Sequence, residues 1–340
     1  MDLTRLLPGP LATLLLRDLG AEVVKVEDPP DGDPVRHLPP QVAGASPLFH
    51  CLNRGKRFVA LDLRGVAGRD RLLRLLETAD CLVESFRPDV LPRLGLDPMD
   101  LVRRYDRLVV VRLSGFGAVG PWAGRPGHDL NYMALSGALD GAPSPWPPRS
   151  QVADVGAALL AALAATAAIA GRGRLPPEAR VLDVPILDAA MLFALPLHAR
   201  EAGGDETAPG KGLLEGGAPL YRTYGGADGR AWSLAALEPK FQAAIEVLCG
   251  GLDMASIQSA FQHIDATDLA DPLASPPCVE PVLSPAEARQ HPAVTSRSLF
   301  RTMRAGGDEV VLPVTPFAGP DLPDGPWALP LGADDAHVLP

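Results

Sequence analysis

The first half of the chain alternates short apolar stretches with longer amphipathic ones. A Pro/Gly turn at residues 8–10 opens an amphipathic stretch that ends at Gly20, and the apolar residues 21–26 follow it. The same order recurs downstream, with predicted helices at 66–79 and 98–105 and predicted strands at 58–63, 81–84 and 108–113. Strands that alternate with helices predict a doubly wound α/β domain with a mostly parallel sheet. Only two residues precede Leu3, so we expect the first strand to be short.

The pattern changes in the second half. We predict an Ala-rich helix at 154–171, a strand near 180–184 and a further helix from 185 to about 201, before a Gly-rich stretch. Beyond it we expect a hairpin that turns at 225–229, a helix at 239–248, an irregular Pro-rich segment to about 285, and C-terminal strands that return to the first domain. The predicted domains are a large one of residues 1–186 and 310–340, a linker at 187–214, and a smaller α+β domain at 215–309.

Composition and charge narrow the classes of function. Hydrophobic residues make up 47% of the 340 residues, and the formal net charge of −10 disfavours a nucleic-acid binder. The four cysteines are far apart and no HExxH spacing occurs, so we expect neither a disulfide framework nor a metal site, in a reducing cytoplasm. The apolar run 155–171 is at the short limit for a membrane span. Because Asp154 stands at its start, we expect a buried helix and no membrane partner.

Residues 127–154 carry the most informative chemistry. His128 lies next to Asp129, and Asp154 follows a loop of Pro, Gly and Ser. If that loop folds back, two proton-carrying side chains flank one substrate atom. Each residue also has an ordinary explanation, His128 as a surface or core histidine and Asp154 as the N-cap of the Ala-rich helix, which would favour its ionised form. Glu238 precedes a proline and by default caps the next helix.

Basic residues suggest an anion site in this acidic chain. Three of them lie on a turn that contains a glycine, and two others lie in loops after predicted strands. Loops after parallel strands meet at one edge of a sheet, so these charges are expected to converge on a phosphate-bearing ligand. The alternative is ordinary solvated surface charge. The residues are Arg54, Gly55, Lys56 and Arg57 on the turn, with Arg36 and Arg87 in the loops.

A GxGxxG pattern at residues 115–120 follows a predicted strand. Pro121 and Pro126 prevent these glycines from opening a helix, so the pyrophosphate of a dinucleotide would lack the helix N-terminus on which it binds. We therefore expect a structural loop here, and no nicotinamide cofactor.

Several longer stretches, in this order along the chain, resemble members of CoA-transferase family III. They are PGPLATLLLRDLGAEVVKVED, LNRGKRFVALDLR, VESFRPDVLPRLGL, RLSGFGAVGPWAGRPGHDLNYMALSG, VADVG, GGAPLYRTY, LEPKF and CVEPVLSPAEA. This CaiB/BaiF-like superfamily includes the α-methylacyl-CoA racemases. The sequence resembles the racemases more closely, because it has histidine in GHDLNY and glutamate in LEPKF. The resemblance implies two-domain subunits that interlock as a homodimer.

The resemblance also implies roles for individual residues. Asp154 in VADVG matches an aspartate that transferases use as a nucleophile, whereas in racemases this aspartate and His128 are the two acid–base residues. Glu238 would hydrogen-bond and orient His128 of the partner subunit. Coenzyme A is part of the substrate, so no separate cofactor is implied. The implied contacts to CoA phosphates and adenine are Arg36, Arg54, Gly55, Lys56, Arg57 and Arg87, and those at the thioester end are Gly127, Asp129, Leu130, Asn131 and Tyr132.

The implied activity is that of an isomerase of fatty acid metabolism. It would interconvert 2R and 2S 2-methylacyl-CoA thioesters by exchange of the α-proton between two bases through a planar enolate. One alternative is transfer of CoA between carboxylic acids through a covalent adduct on Asp154. A second alternative, of another class, is non-catalytic binding of a CoA ester.

Overall fold

A computed structural model describes residues 1–141, 149–263, 278–305, 307–320 and 326–338. The chain divides into two compact units. The larger unit comprises Met1–Ala138, Pro147–Leu197 and Ser298–Pro340, and the smaller comprises Leu139–Trp146 and His198–Arg297. These bounds differ from the predicted ones. The expected linker is divided between the two units, and residues 298–309 belong to the larger unit instead of the smaller.

The larger unit is built on a six-stranded sheet. Its order is β3-β2-β1-β4-β5-β6, and all neighbouring strands are parallel. The strands are β1 (Asp2–Leu3), β2 (Val24–Glu27), β3 (Arg57–Ala60), β4 (Cys81–Glu84), β5 (Val109–Ser114) and β6 (Val181–Pro185). This confirms the predicted α/β fold with a parallel sheet. The strand order changes direction at β1, and in folds of this type ligands bind beyond the carboxyl ends of the strands at such a point.

Helices connect these strands, and local sequence explains where several begin. Asp97 caps one of them because its carboxylate accepts the Met99 N–H at 2.8 Å, and Pro98 takes the first helical position. The predicted helix at 185–201 is two helices, since the first ends at Phe193. The helices are α1 (Pro8–Asp18), α2 (Pro47–Asn53), α3 (Val66–Leu76), α4 (Val90–Arg93), α5 (Pro98–Arg104), α6 (Asp129–Leu135), α7 (Val152–Gly171), α8 (Ile186–Phe193) and α9 (Leu195–Ala202).

The main core lies between the sheet and the helices α3 and α5. Leu72 and Leu76 of α3 and Val102 of α5 are fully buried and belong to one apolar cluster with Val110 of β5. The neighbouring Val109, on the opposite face of the strand, is fully buried as well. A strand that is apolar on both faces is typical of a parallel sheet covered by helices on both sides.

Helix α7 packs against β5, α1 and α8. Small side chains at these contacts allow the helix to approach its neighbours closely. The stretch Val152–Arg174 also has the length and composition of a membrane span, and 44% of its most apolar window is buried inside the structure. A cytoplasmic location stays a prediction. The buried residues of α7 are Ala153, Gly156, Ala157, Ala158, Ala161, Ala162, Ala165 and Ala168.

The smaller unit contains an antiparallel sheet of β7 (Tyr221–Gly225), β8 (Ala231–Ala235) and β9 (Val279–Pro281). Its apolar core includes Trp232 and Leu234 of β8. The predicted hairpin and the helix that follows it are confirmed. The helices are α10 (Pro239–Cys249), α11 (Met254–Phe261), α12 (Pro285–Gln290) and α13 (Pro292–Thr295).

The prediction of an irregular segment from 250 to 285 is wrong for α11 and β9. Asp253 starts α11, because its carboxylate accepts the N–H groups of Ala255 and Ser256, each at 3.0 Å. Ile257 and Phe261 then bury the apolar face of this helix. Residues 264–277 lie outside the described residues.

The C-terminal part returns to the larger unit, as predicted. Strands β10 (Phe300–Ala305) and β11 (Asp308–Pro313) form an antiparallel hairpin. Helix α14 (Asp335–Val338) follows, and the Asp334 and Asp335 carboxylates accept the N–H groups of Phe58 and Ala60 at 2.8 and 2.9 Å. These bonds satisfy donors on the outer edge of β3, which is the edge strand of the sheet.

Candidate active site

A cleft runs along the carboxyl edge of the sheet in the larger unit. It consists of two cavities of about 300 and 310 Å³. Both are lined by Arg5, Ser85 and Phe86, so they join at the loops that follow β1 and β4. The first, the β3 cavity, continues past the end of β3 to Arg64. The second, the β5 cavity, continues past the end of β5 to α6 and α7. The cleft therefore lies at the point where the strand order changes direction.

The β5 cavity contains both predicted acid–base residues. His128 and Asp154 line it together with Gly127 and Tyr132, and Phe116 contributes an apolar wall. His128 is exposed and directly precedes α6, whereas Asp154 is half-buried in the first turn of α7. Part of the connecting loop, residues 142–148, lies outside the described residues. The structure thus places an imidazole and a carboxyl in one cavity, and their catalytic roles stay predictions.

Three residues predicted at the thioester end do not line the cavity. Asp129 is buried, and its Oδ1 accepts the N–H of Asp154 at 3.1 Å. Asn131 Oδ1 accepts the N–H of His128 at 3.0 Å. Leu130 is exposed. Asp129 and Asn131 therefore hold the backbone of Asp154 and His128, respectively, in place.

Asp154 is not the N-cap of the Ala-rich helix, which corrects the prediction. Gln151 occupies that position, and α7 begins at Val152. Asp154 is thus inside the first turn, where its side chain faces the cavity. Burial and the neighbouring charge of Asp129 raise the pKa of Asp154 to about 6, while His128 opposes that rise. The carboxyl consequently titrates nearer to neutrality than an ordinary aspartate, the reverse of the predicted preference for the ionised form.

Asp129→Asn is expected to lower the pKa of Asp154, because it removes a negative charge and keeps an oxygen that accepts the Asp154 N–H. The measurement is the ¹³C carboxyl titration of Asp154 by NMR. Asp80→Asn is the matched control, because Asp80 pairs with Arg107 and Arg172 next to the amino end of β4. An unchanged Asp154 titration in Asp129→Asn would show that burial alone sets the shift.

Tyr132 closes the floor of the β5 cavity. Its side chain is buried, and the ring of Phe116 meets it edge-on with centroids 5.1 Å apart. Burial and the charge of Asp154 raise the pKa of Tyr132 to about 12, so the phenol stays protonated. A Cβ at Gly115 would lie 2.2 Å from the Tyr132 hydroxyl oxygen, so the start of the GxGxxG loop must be glycine for the ring to fit. No part of residues 115–128 is helical, in agreement with the prediction of a structural loop.

The predicted basic cluster does not form. Residues 54–56 precede β3 and Arg57 is its first residue, so all four lie at the amino edge of the sheet, opposite the cleft. Arg54 is fully buried and its Nη1 donates to Asp18 Oδ1 at 2.6 Å, while buried Lys56 Nζ lies 3.0 Å from Asp2 Oδ2. Arg57 pairs with Glu22 on the surface. These charges are already paired within the fold, and the prediction that this turn grips a phosphate stays a prediction.

Arg36 lies on the carboxyl side of the sheet but is also engaged. Its Nε donates to Glu27 Oε1 at 2.9 Å, and its guanidinium stacks 4.0 Å from the centroid of the Phe49 ring. The residue is buried and lines neither cavity of the cleft. Arg36 thus packs within the larger unit, and its predicted contact with CoA stays a prediction.

Other arginines do face the cleft. Arg87, which was predicted, lines the β5 cavity, and Arg5 lines both cavities. Arg125 lines the β5 cavity and lies 4.0 Å over the ring of Trp122. In the part of the chain that the structure describes, none of these three arginines makes an ion pair. The sequence analysis did not predict Arg5 as a site residue. Its position two residues after β1 was a usable signal, because loops that follow parallel strands lie at the edge where ligands bind.

Glu238 belongs to the smaller unit. It occupies the N-cap position of α10, and its side chain makes no capping bond. Its predicted hydrogen bond to His128 of the partner subunit stays a prediction. Across the described ranges, no group of three or more His, Cys, Asp or Glu side chains is arranged to hold a metal ion.

Comparison with protein families gives one match that covers almost the whole chain. The sequence model of CoA-transferase family III matches residues 1–334. Among curated proteins, the α-methylacyl-CoA racemase of Homo sapiens is 36% identical over 262 residues, which cover 75% of this chain and 64% of that protein. The α-methylacyl-CoA racemase of Mus musculus is 33% identical over 326 residues, covering 89% of this chain and 81% of that protein.

Transferases and solved structures also match. The acetyl-CoA:oxalate CoA-transferase of Acetobacter aceti is 40% identical over 139 residues, covering 41% of this chain and 36% of that protein. The orthorhombic crystal structure of Rv3272 from M. tuberculosis superposes with a TM-score of 0.81 and 27% identity, covering 99% of this chain and 97% of the other. A CaiB/BaiF family protein from Brucella suis gives a TM-score of 0.81 and 25% identity, covering 99% and 96%.

Proposed function

Because the chain belongs to CoA-transferase family III, we propose that it acts on acyl-CoA thioesters and that its reaction is racemisation at the α-carbon of 2-methylacyl-CoA. The observation that supports this choice is that His128 and Asp154 both line the β5 cavity. Racemisation needs two groups that each exist in a protonated and a deprotonated state. An imidazole and a carboxyl can each exist in both states, and burial and Asp129 raise the pKa of Asp154 to about 6.

In the proposed reaction the enzyme takes the α-proton from the substrate on one face and returns a proton to the α-carbon on the other face. One base removes the α-proton, and the electrons of the C–H bond move to the thioester carbonyl, which becomes an enolate oxygen. The conjugate acid of the other base then protonates the planar α-carbon from the opposite face, which inverts its configuration. The positive pole of α7 lies at the same wall as Asp154 and favours the enolate charge.

The length of the cleft supports a CoA ester. With the acyl group beside Asp154, the rest of the thioester would run through the junction at Ser85 and Phe86 into the β3 cavity. Arg5 and Arg87 flank this route and hold no carboxylate partner within the described residues, so they are available to CoA phosphates.

Arg5→Ala and Arg87→Ala are each expected to weaken CoA binding about tenfold, the size of a lost hydrogen bond to a charged group. The measurement is the dissociation constant of CoA by isothermal titration calorimetry. Arg57→Ala is the control, because Arg57 lies at the opposite edge of the sheet. If Arg57→Ala weakens CoA binding and the other two variants do not, the route along the cleft is wrong and the sequence-based assignment is right.

A second candidate is CoA transfer between carboxylic acids, which the identity with the Acetobacter CoA-transferase supports. In that reaction the Asp154 carboxylate attacks the thioester carbonyl, and CoA leaves as the thiolate while an acyl anhydride forms on Asp154. Incubation with acyl-CoA alone followed by hydroxylamine decides between the two. A hydroxamate at Asp154 detected by peptide mass spectrometry supports transfer, and α-hydrogen exchange without any adduct supports racemisation.

We also propose that the active form is a homodimer. Leu159 and Leu163 of α7 and Phe193 of α8 expose 51%, 66% and 49% of their surface in the single chain. A contiguous apolar face of this kind is typical of a surface that another subunit covers. Light scattering is expected to give about twice the chain mass of 35.7 kDa. A mass of one chain at micromolar concentration contradicts the dimer.

A further inference from the structure

We propose that Glu84, Arg112 and Asp183 form a row of charges that positions the two loops walling the acyl-CoA cleft. The inference rests on the proposed function, since the ligand that it serves is a CoA thioester. Glu84 is paired with Arg112 in the register of β4 and β5, and Arg112 is paired with Asp183 in the register of β5 and β6. Residues in register on neighbouring strands project to the same face, so the three side chains follow one another across the sheet.

Glu84 holds the loop where the two cavities join. Its side chain is only 3% exposed, and its Oε2 accepts the N–H of Phe86 at 2.7 Å. Its Oε1 lies 3.4 Å from Arg112 Nε. Ser85 and Phe86 line both cavities, so the bond to Phe86 sets the wall at the middle of the cleft.

Asp183 holds the opposite wall. Its Oδ2 accepts the N–H of Ala118 at 2.7 Å, in the loop that carries Phe116 into the β5 cavity. The chain turns sharply just before this bond, at Gly117, whose φ of +87° is costly for other residues. The carboxylate of Asp183 thereby fixes the direction in which the loop leaves its turn.

None of the three charged residues is among the described residues that line either cavity. A buried carboxylate is costly unless it is paired, and Arg112 provides the compensating charge for buried Glu84. An apolar row would pack equally well against the helices but would leave the N–H groups of Phe86 and Ala118 without these acceptors. The row therefore positions the loop that contains Phe86 and the loop that contains Ala118. Its three members act on the ligand only through these loops and are positioning residues.

The test measures CoA binding by isothermal titration calorimetry together with kcat and KM for 2-methylacyl-CoA exchange. Asp183→Ala is expected to raise the dissociation constant of CoA and the KM about 3- to 10-fold, the effect of losing one hydrogen bond, with kcat within about twofold. Asp183→Asn keeps an acceptor for Ala118 and should return both constants to near the wild-type values. Glu84→Ala should act in the same direction as Asp183→Ala.

Asp80→Ala is the matched control, because it breaks two ion pairs near the amino end of the same strand, β4. It should lower the melting temperature without changing CoA binding. Asp183 is exposed, so its variants carry the test even where Glu84→Ala fails to fold. The proposed role of the row would be wrong if Asp183→Ala bound CoA with wild-type affinity. It would also be wrong if Asp183→Asn lost as much CoA affinity as Asp183→Ala. Failure of the wild-type protein to bind CoA would instead overturn the proposed function.

Discussion

For the enantiomer whose α-proton Asp154 removes, Asp154→Asn is expected to reduce exchange of the α-hydrogen of 2-methylacyl-CoA with solvent deuterium by about 10²- to 10⁴-fold, the usual contribution of a general acid–base group. The amide neither takes up the α-proton nor supplies one to the enolate. In the wild-type protein the exchange that depends on the Asp154 carboxylate should rise as the pH passes through about 6, where that carboxyl ionises. Incubation in deuterated water followed by mass spectrometry of the thioester gives the rate.

The same variant is expected to be more stable at neutral pH. The pKa of Asp154 is raised from 3.8 to about 6 in the folded protein, so the folded state binds the proton more tightly than the unfolded chain. The stability that this proton contributes is present below pH 3.8 and is lost as the pH rises through 6. Asparagine does not ionise, so thermal unfolding of Asp154→Asn should show its advantage above pH 6. In the exchange experiment, a rate within tenfold of wild type for both enantiomers would contradict the assignment of Asp154 as a base.

His128→Ala is expected to separate exchange from inversion. With one base removed, racemisation should fall about 10²- to 10⁴-fold. Asp154 can still remove and return a proton on its own face, so one enantiomer should take up deuterium with retention of configuration. The measurement uses enantiopure (2R)- and (2S)-2-methylacyl-CoA, with chiral separation before mass spectrometry.

His337→Ala is the control for this experiment, because His337 is exposed and lines a cavity at the amino edge of the sheet. It should leave exchange of both enantiomers unchanged. Unchanged exchange of both enantiomers in His128→Ala would mean that the two-base mechanism is wrong. Full CoA-transfer activity in that variant would favour the second candidate function.

Helices and strands could be predicted from the sequence wherever the periodic pattern of apolar residues extended over many residues or was bounded by clear turns. The predicted strand at 81–84 coincides with β4, and the predicted Ala-rich helix differs from α7 by two residues at its start. Short elements were not predicted. Strand β9 has three residues and exists because β8 offers it a partner, which a local pattern does not reveal.

The functional site was harder to predict from the sequence, because the role of a charged side chain depends on the residues that pair with it in the fold, and these are distant in the sequence. Arg54 is neutralised by Asp18, 36 positions away, and Lys56 by Asp2, 54 positions away. The position of residues 54–57 before a strand, and not after one, was nevertheless visible and places them at the amino edge. For Asp154, the first turn of α7 begins three residues earlier than the capping pattern predicted, and that shift turns its carboxyl toward the cavity.

Because some basic residues are paired inside the fold and others face solvent, salt should affect the stability of the fold and the affinity for CoA differently. The Arg54–Asp18 and Lys56–Asp2 pairs lie inside the larger unit, beyond the reach of dissolved ions, whereas Arg5 and Arg87 face solvent. Salt screens exposed charges over roughly 10 Å at 0.1 M and 3 Å at 1 M. Sodium chloride should therefore weaken the hold on CoA phosphates while leaving the melting temperature nearly constant. A salt titration can separate ligand affinity from the integrity of the fold without changing any residue.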